Sequence, residues 1–174
     1  MRRGPGTGPV PGFSFAARHP YMPAMNAPLY NARILRLAAS IPHQRLLGDA
    51  QAQVRKVSPV CGSRVTLDLD VDADGRVVRF GQEVRACALG QASAAILGGG
   101  VLGASAAELE AARAALAAWL RADQPVPAEV LARFPDLPLF EPARPHLARH
   151  ASILLAFEAA AEAAAEAQAT RQAA

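Results

Sequence analysis

Between Arg64 and Asp72 apolar and polar residues alternate without a break. Val65, Leu67, Leu69 and Val71 fall on one side; Arg64, Thr66, Asp68, Asp70 and Asp72 fall on the other. A period of two predicts a half-buried strand. Asp72-Ala73-Asp74-Gly75 follows with hairpin chemistry, Gly75 being free to take positive φ, and Arg76 to Val84 returns as a further strand. Upstream, Ala52 to Ser58 alternates in the same way and stops at the turn Ser58-Pro59-Val60-Cys61-Gly62. Three consecutive strands with short connections predict an antiparallel meander.

On either side of the meander the period becomes helical. Tyr30, Ile34, Leu37 and Ala38 share a face until Pro42 ends the run. Ala88 to Leu97 reads as a short helix rich in small residues, with Gly98-Gly99-Gly100 as its stop. Ser105 and Glu108 have the spacing of a capping box, with Leu102 near the staple position, and open a helix through Leu109, Leu116, Trp119 and Leu120 that Pro125 and Pro127 close. After a Pro-containing segment from Leu131 to Pro145, a long Ala/Glu helix begins at or near His150, carries Ile153, Leu154 and Phe157, and is expected to fray after about Ala165. The predicted fold class is α+β: a small three-stranded antiparallel meander packed against several helices.

Composition adds the ends and the compartment. Residues 1–27 are dense in Pro and Gly, a content that resists regular structure, so they are expected to form a disordered extension, with Met22 or Met25 as an alternative start. Residues 28–165 then form the folded domain and residues 166–174 a frayed tail. The net charge of +3 resides in the opening stretch: with Arg2, Arg3 and Arg18 set aside, basic and acidic residues are equal in number. The remaining charges are interspersed and no basic stripe with stacking aromatics stands out, which argues against nucleic-acid binding. No apolar run approaches the roughly 20 residues of a membrane span. Two cysteines without a secretory leader make no disulfide framework and point to a reducing cytoplasm.

The meander decides which residues can do chemistry together. Its connectivity puts the end of the first strand, the start of the second and the end of the third at one edge, and Cys61 and Cys87 both belong there. Cys87 precedes a helix, where uncapped N–H groups and the positive end of the dipole favour a thiolate. His150, at the start of the last helix, would add an imidazole if that helix crosses the sheet, giving a Cys, Cys, His set suited to zinc or iron. Spacing alone favours two small buried residues and a helix-capping histidine over a ligand set.

Tyr30-Asn31, Ile41-Pro42-His43, the segment Ser58 to Val65, the segment Ala86 to Ala94 and His150 to Leu154 resemble, in order, the iron–sulfur cluster assembly scaffold family that includes IscU, SufU and the N-terminal part of NifU. The likeness spans Leu29 to about Ala165, and the long connection from Gly98 to Leu147 looks most like the SufU branch. The resemblance implies a scaffold, not an enzyme. Its solvent-facing site would assemble a 2Fe–2S cluster, or hold iron or zinc, through Cys61, Cys87 and His150. The implied partners are a cysteine desulfurase and iron–sulfur acceptor proteins. It also marks departures: Ser63 stands where the family has Asp, and Ala151 where it has a third Cys, its usual persulfide acceptor. Pro145-His146-Leu147-Ala148-Arg149 stands in place of the chaperone-docking segment.

Two alternatives remain open at this level: an interaction module of the same assembly system that holds no metal, and a thiol redox switch between Cys61 and Cys87. Weaker signals fall away. Asp70, Asp72, Asp74 and Gly75 begin a calcium-loop pattern, but Gly81 occupies the position of its bidentate Glu. The glycine run lacks the Lys of a phosphate loop, and no serine, Ser63 included, sits in a nucleophile elbow.

Overall fold

The computed structural model describes residues 29–59, 61–122 and 124–173. The extension expected over residues 1–27 lies outside them. Three strands, β1 (Ala52–Val57), β2 (Arg64–Val71) and β3 (Val77–Arg85), form a sheet in the order β1-β2-β3, antiparallel throughout. The meander is therefore as the alternation predicts. Gly75 turns the second hairpin at φ +73°, and the Asp72 carboxylate accepts from Asp74 and Arg76 amides at 3.0 and 2.9 Å.

Five α-helices surround the sheet: α1 (Ala32–Ala38), α2 (Ala88–Gly100), α3 (Ala106–Ala122), α4 (Ala128–Arg133) and α5 (Leu147–Gln172), with a 3-10 helix at Leu137–Ala143 before the last. Asn31 caps α1, accepting from the Arg33 and Ile34 amides. The capping box of α3 forms in full: the Ser105 hydroxyl accepts from the Glu108 amide and the Glu108 carboxylate from the Ser105 amide. Leu102 takes no part in a staple; it is exposed.

The inner face of the sheet presents Val54, Val65, Leu67, Leu69 and Phe80, all buried. Helix α5 covers β1 and β2, and α2 covers β3. Helix α5 can lie deep in the molecule because its buried side is mostly alanine: Ala156, Ala159, Ala160, Ala163 and Ala164 are fully covered. Small side chains let α2, α3 and the sheet approach its backbone from three directions.

Three sequence expectations are corrected. Beyond Ala165, where fraying is predicted for residues 166–174, α5 stays helical to Gln172 and Ala167 is fully buried. The glycine run does not stop α2 but forms its last turn. Gly98 and Gly100 are contact points there, since an added Cβ would lie 2.7 Å from Pro42 and 2.6 Å from Phe134 respectively. Finally, the polar side of β2 is not left to water. The segment 42–51 folds over it, with the Leu47 and Gly48 amides donating to buried Asp68 and the Gln51 amide to Asp70. A carboxylate that receives several N–H groups satisfies both sides of the contact.

Candidate functional site

Register gathers the site. Val57 pairs with Arg64 and Arg64 with Arg85, so the last residue of β1, the first of β2 and the last of β3 form one row. Cys61 lies in the turn joining the first two strands. That turn is closed by Ser58 N–H to Ser63 C=O at 2.8 Å and Gly62 N–H to Ser58 C=O at 3.0 Å, with Gly62 at φ +69°. Cys87 lies two residues beyond β3 as the N-cap of α2, in extended conformation, and its carbonyl accepts from Gln91 N–H. Its thiol makes no side-chain cap bond to the helix. Both cysteines are free and occupy the predicted end of the sheet, Cys61 exposed and Cys87 half-buried.

Each thiol has hydroxyl neighbours. Cys61 Sγ lies 3.0 Å from Ser63 Oγ and 3.4 Å from Ser58 Oγ, and both serines are buried. The neutral thiol donates its one proton toward these hydroxyl oxygens, and both hydroxyls can donate to sulfur once it is ionised. Partial burial pushes the Cys61 thiol up, but the two hydroxyls, the Ser63 backbone N–H and the charge of Arg149 outweigh it and hold the thiol below its ordinary value. Cys87 Sγ lies 3.4 Å from Ser152 Oγ.

Helix α5 reaches both cysteines with one side of its first turns. Arg149 and Ser152 are three residues apart and so neighbours on the helix surface; the first acts on Cys61 and the second touches Cys87. Close approach of α2 makes this contact, because a Cβ at Gly90 would sit 3.1 Å from the Ser152 carbonyl.

His150 takes a different direction. Two residues before Ser152, it lies about 200° away around the helix. Its ring is buried, and Nε2–H donates to the Arg144 carbonyl at 3.0 Å. Among the described residues no group of three His, Cys, Asp or Glu stands close enough to hold a metal ion. Thus the two cysteines share one end of the sheet, and among the described residues the imidazole completes no triad with them. The residues that sequence reasoning missed are Ser58, Arg149 and Ser152. Ser152 directly follows the Ala151 noted as a departure, and the i, i+3 spacing to Arg149 was its available signal.

No helix among the described residues is long and apolar enough to cross a membrane. No family model matches the chain, and no curated protein does. Solved structures do resemble it. A nitrogen-fixing NifU-like protein (N-terminal) from Brucella abortus is 41% identical, with 82% of this chain and 96% of that one covered at a TM-score of 0.77. An iron–sulfur cluster assembly scaffold protein for the SUF system from Fervidobacterium islandicum AW-1 is 18% identical, with 80% and 98% covered at a TM-score of 0.71, a likeness of fold.

Proposed function

The chain belongs to the NifU-like family of iron–sulfur cluster assembly scaffolds, with IscU and SufU, and from that membership we propose that it carries iron, a 2Fe–2S centre or zinc as cargo on Cys61 and Cys87. The observation that carries this reading is the pair of thiols at one end of the meander, each beside a serine hydroxyl and both served by the first turns of α5. Thiolates are the donors that iron, zinc and iron–sulfur clusters favour. The Ser58 and Ser63 hydroxyls can donate to an ionised Cys61 without competing as ligands, whereas the Ser152 hydroxyl gives its proton to the Arg149 carbonyl at 3.0 Å and leaves its oxygen to accept from the Cys87 thiol.

The donor set fits a partly supplied site. Two protein thiolates satisfy half of a tetrahedral centre. His150 is the third donor of the proposal. With Nε2–H given to a backbone carbonyl, Nδ1 is the nitrogen left for a metal, and a carbonyl on the distal nitrogen is the usual companion of a ligating imidazole. Because His150 faces away from Ser152, its recruitment requires a turn of the first part of α5 when cargo binds. An exogenous ligand fills the remaining position. In this reading the protein is a carrier in the cytoplasm, not an enzyme. It takes sulfur from a cysteine desulfurase and passes its cargo to iron–sulfur acceptor proteins.

The test is purification without air, followed by iron, zinc and acid-labile sulfide analysis per chain. Metal that is present in the wild-type protein and lost in Cys87→Ser supports the proposal. Its absence from both would overturn it. In that case the second reading stands, an interaction module of the same assembly system, which the engagement of His150 with Arg144 favours.

A further inference from the structure

The outer face of the sheet divides into two halves. Toward the Gly75 hairpin it is covered by the segment 42–51, through Asp68 and Asp70. Toward the cysteines it is open. Two cross-strand rows lie there: Val57, Arg64 and Arg85 at the rim, then Arg55, Thr66 and Glu83. Val57 is 54% exposed, a large apolar side chain left in solvent at the sheet edge. Arg55 and Arg85 are exposed and Arg64 half-exposed.

None of these three arginines makes an ion pair among the described residues, and neither does Arg149, whose charge reaches Cys61 from the inner layer. Arg64 stands directly across from Arg85, and like charges in that relation destabilise a sheet. Glu83 is the one carboxylate in the two rows and is paired with neither. The fold itself draws no benefit from this arrangement, whereas an external anionic surface would.

We propose that the open half of the outer sheet face, with Arg55, Arg64 and Arg85 around Val57, is the docking surface for a partner protein that presents an acidic segment with an apolar anchor. The inference rests on the scaffold reading in one respect: docking at the Cys61 end brings the partner to the thiols that exchange cargo. The chain's own residues 1–28 contain Arg2, Arg3 and Arg18 and no acid, so their charge does not complement this face. A polynucleotide is the poorer fit, because the two rows contain no aromatic side chain on which a base could stack.

The experiment uses the metal-free, reduced full chain and a fluorescein-labelled, cysteine-free synthetic peptide of Glu residues around one Leu, read by anisotropy. The expected result is binding that weakens between about 50 and 200 mM salt. It should fall at least about tenfold when Arg64→Glu and Arg85→Glu are combined. It should stay unchanged in Arg171→Glu, at the far end of α5, and be absent for the Lys version of the peptide. Bound peptide should also slow alkylation of Cys61. Arg64→Gln with Arg85→Gln serves as a milder pair should the reversed pair fail to fold.

Equal binding by wild type and the double variant would overturn the proposal. So would preferential binding of a single-stranded oligonucleotide, or self-association of the chain through the same arginines. Since no metal is present, failure of this test is distinct from failure of the cargo reading.

Discussion

The hydroxyl oxygen of Ser63 lies 3.0 Å from the sulfur of Cys61, at the position where the family resemblance implies an aspartate. An aspartate there would oppose a negative charge on sulfur, and a hydroxyl accommodates it. The substitution changes a candidate ligand into a hydrogen-bond donor for the neighbouring thiolate.

Ser63→Ala should therefore raise the Cys61 thiol. Burial already pushes it up, and the variant removes one of the hydroxyls that oppose burial. The pH profile of Cys61 alkylation in metal-free protein is expected to move to higher pH, and Ser58→Ala, which removes the other hydroxyl that lowers the thiol, should move it in the same direction. As to stability, a thiol lowered in the fold contributes above its unfolded value and loses that contribution as pH falls through the folded one. Cys61 is exposed, so the alkylation profile and not the melting temperature is the measurement that decides. An unmoved profile in Ser63→Ala would show that the hydroxyl does not hold the charge.

Neighbouring glycines at the end of α2 should respond in opposite directions. Gly99 has nothing within 4 Å of an added Cβ, so Gly99→Ala gains helix propensity and is expected to stabilise by about 0.5–1 kcal/mol. At Gly100 the same methyl would meet the Phe134 ring at 2.6 Å and the Arg133 carbonyl at 2.7 Å. Overpacking there is expected to cost about 1–3 kcal/mol. Chemical denaturation of the two variants beside wild type checks the pair, and equal effects would mean that the α2–α4 contact is looser than described.

That contrast also shows where sequence reasoning reached its limit. Strict alternation in β2 and turn chemistry at Gly75 are local, and they sufficed for the meander and for placing Cys61 and Cys87 at one edge. Gly98 to Gly100 has the local composition of a stop, yet Pro42 and Phe134, distant in sequence, give two of those glycines their role. Asp68 and Asp70 look solvated because a period of two reports which side is polar, not what covers it. The cysteines were legible from the strands that present them. Arg149 and Ser152 were not, because their facing depends on the rotation of α5 about its axis, which alanine on nearly every side leaves unmarked.

Acid should act on the start of α3 through Glu108. Its carboxyl is held below the usual range first by the Ser105 backbone N–H, against some burial, with the Ser105 hydroxyl and the Arg133 charge adding to the effect. A lowered carboxyl contributes stability that is complete above its unfolded value and is lost as pH falls through the folded one. Glu108→Gln keeps the geometry of the capping box and removes the charge. The variant is expected to be less stable near neutrality by under about 1 kcal/mol, since the side chain is partly solvated. It should also lose less than wild type on acidification, so that melting temperatures converge between about pH 7 and pH 3. A constant offset across that range would show that the charge contributes nothing.

The strongest test of the scaffold reading adds a donor. Ala151 stands between His150 and Ser152, where the family resemblance implies a third cysteine. It is half-buried on the first turns of α5, the part of the helix that already touches Cys87 through Ser152. Ala151→Cys enlarges the side chain by one sulfur, so the fold is expected to persist. In an anaerobic preparation it should retain more iron and acid-labile sulfide per chain than wild type, because a third thiolate replaces an exchangeable exogenous ligand. The gain should disappear when Cys87→Ser is combined with it, since a ligand added to a shared centre depends on the others. Gain in the single variant and loss in the double one would tie position 151 to the same cargo as Cys87. No gain would mean that α5 presents position 151 away from the thiols, and that the recruitment of His150 by a turn of this helix does not occur.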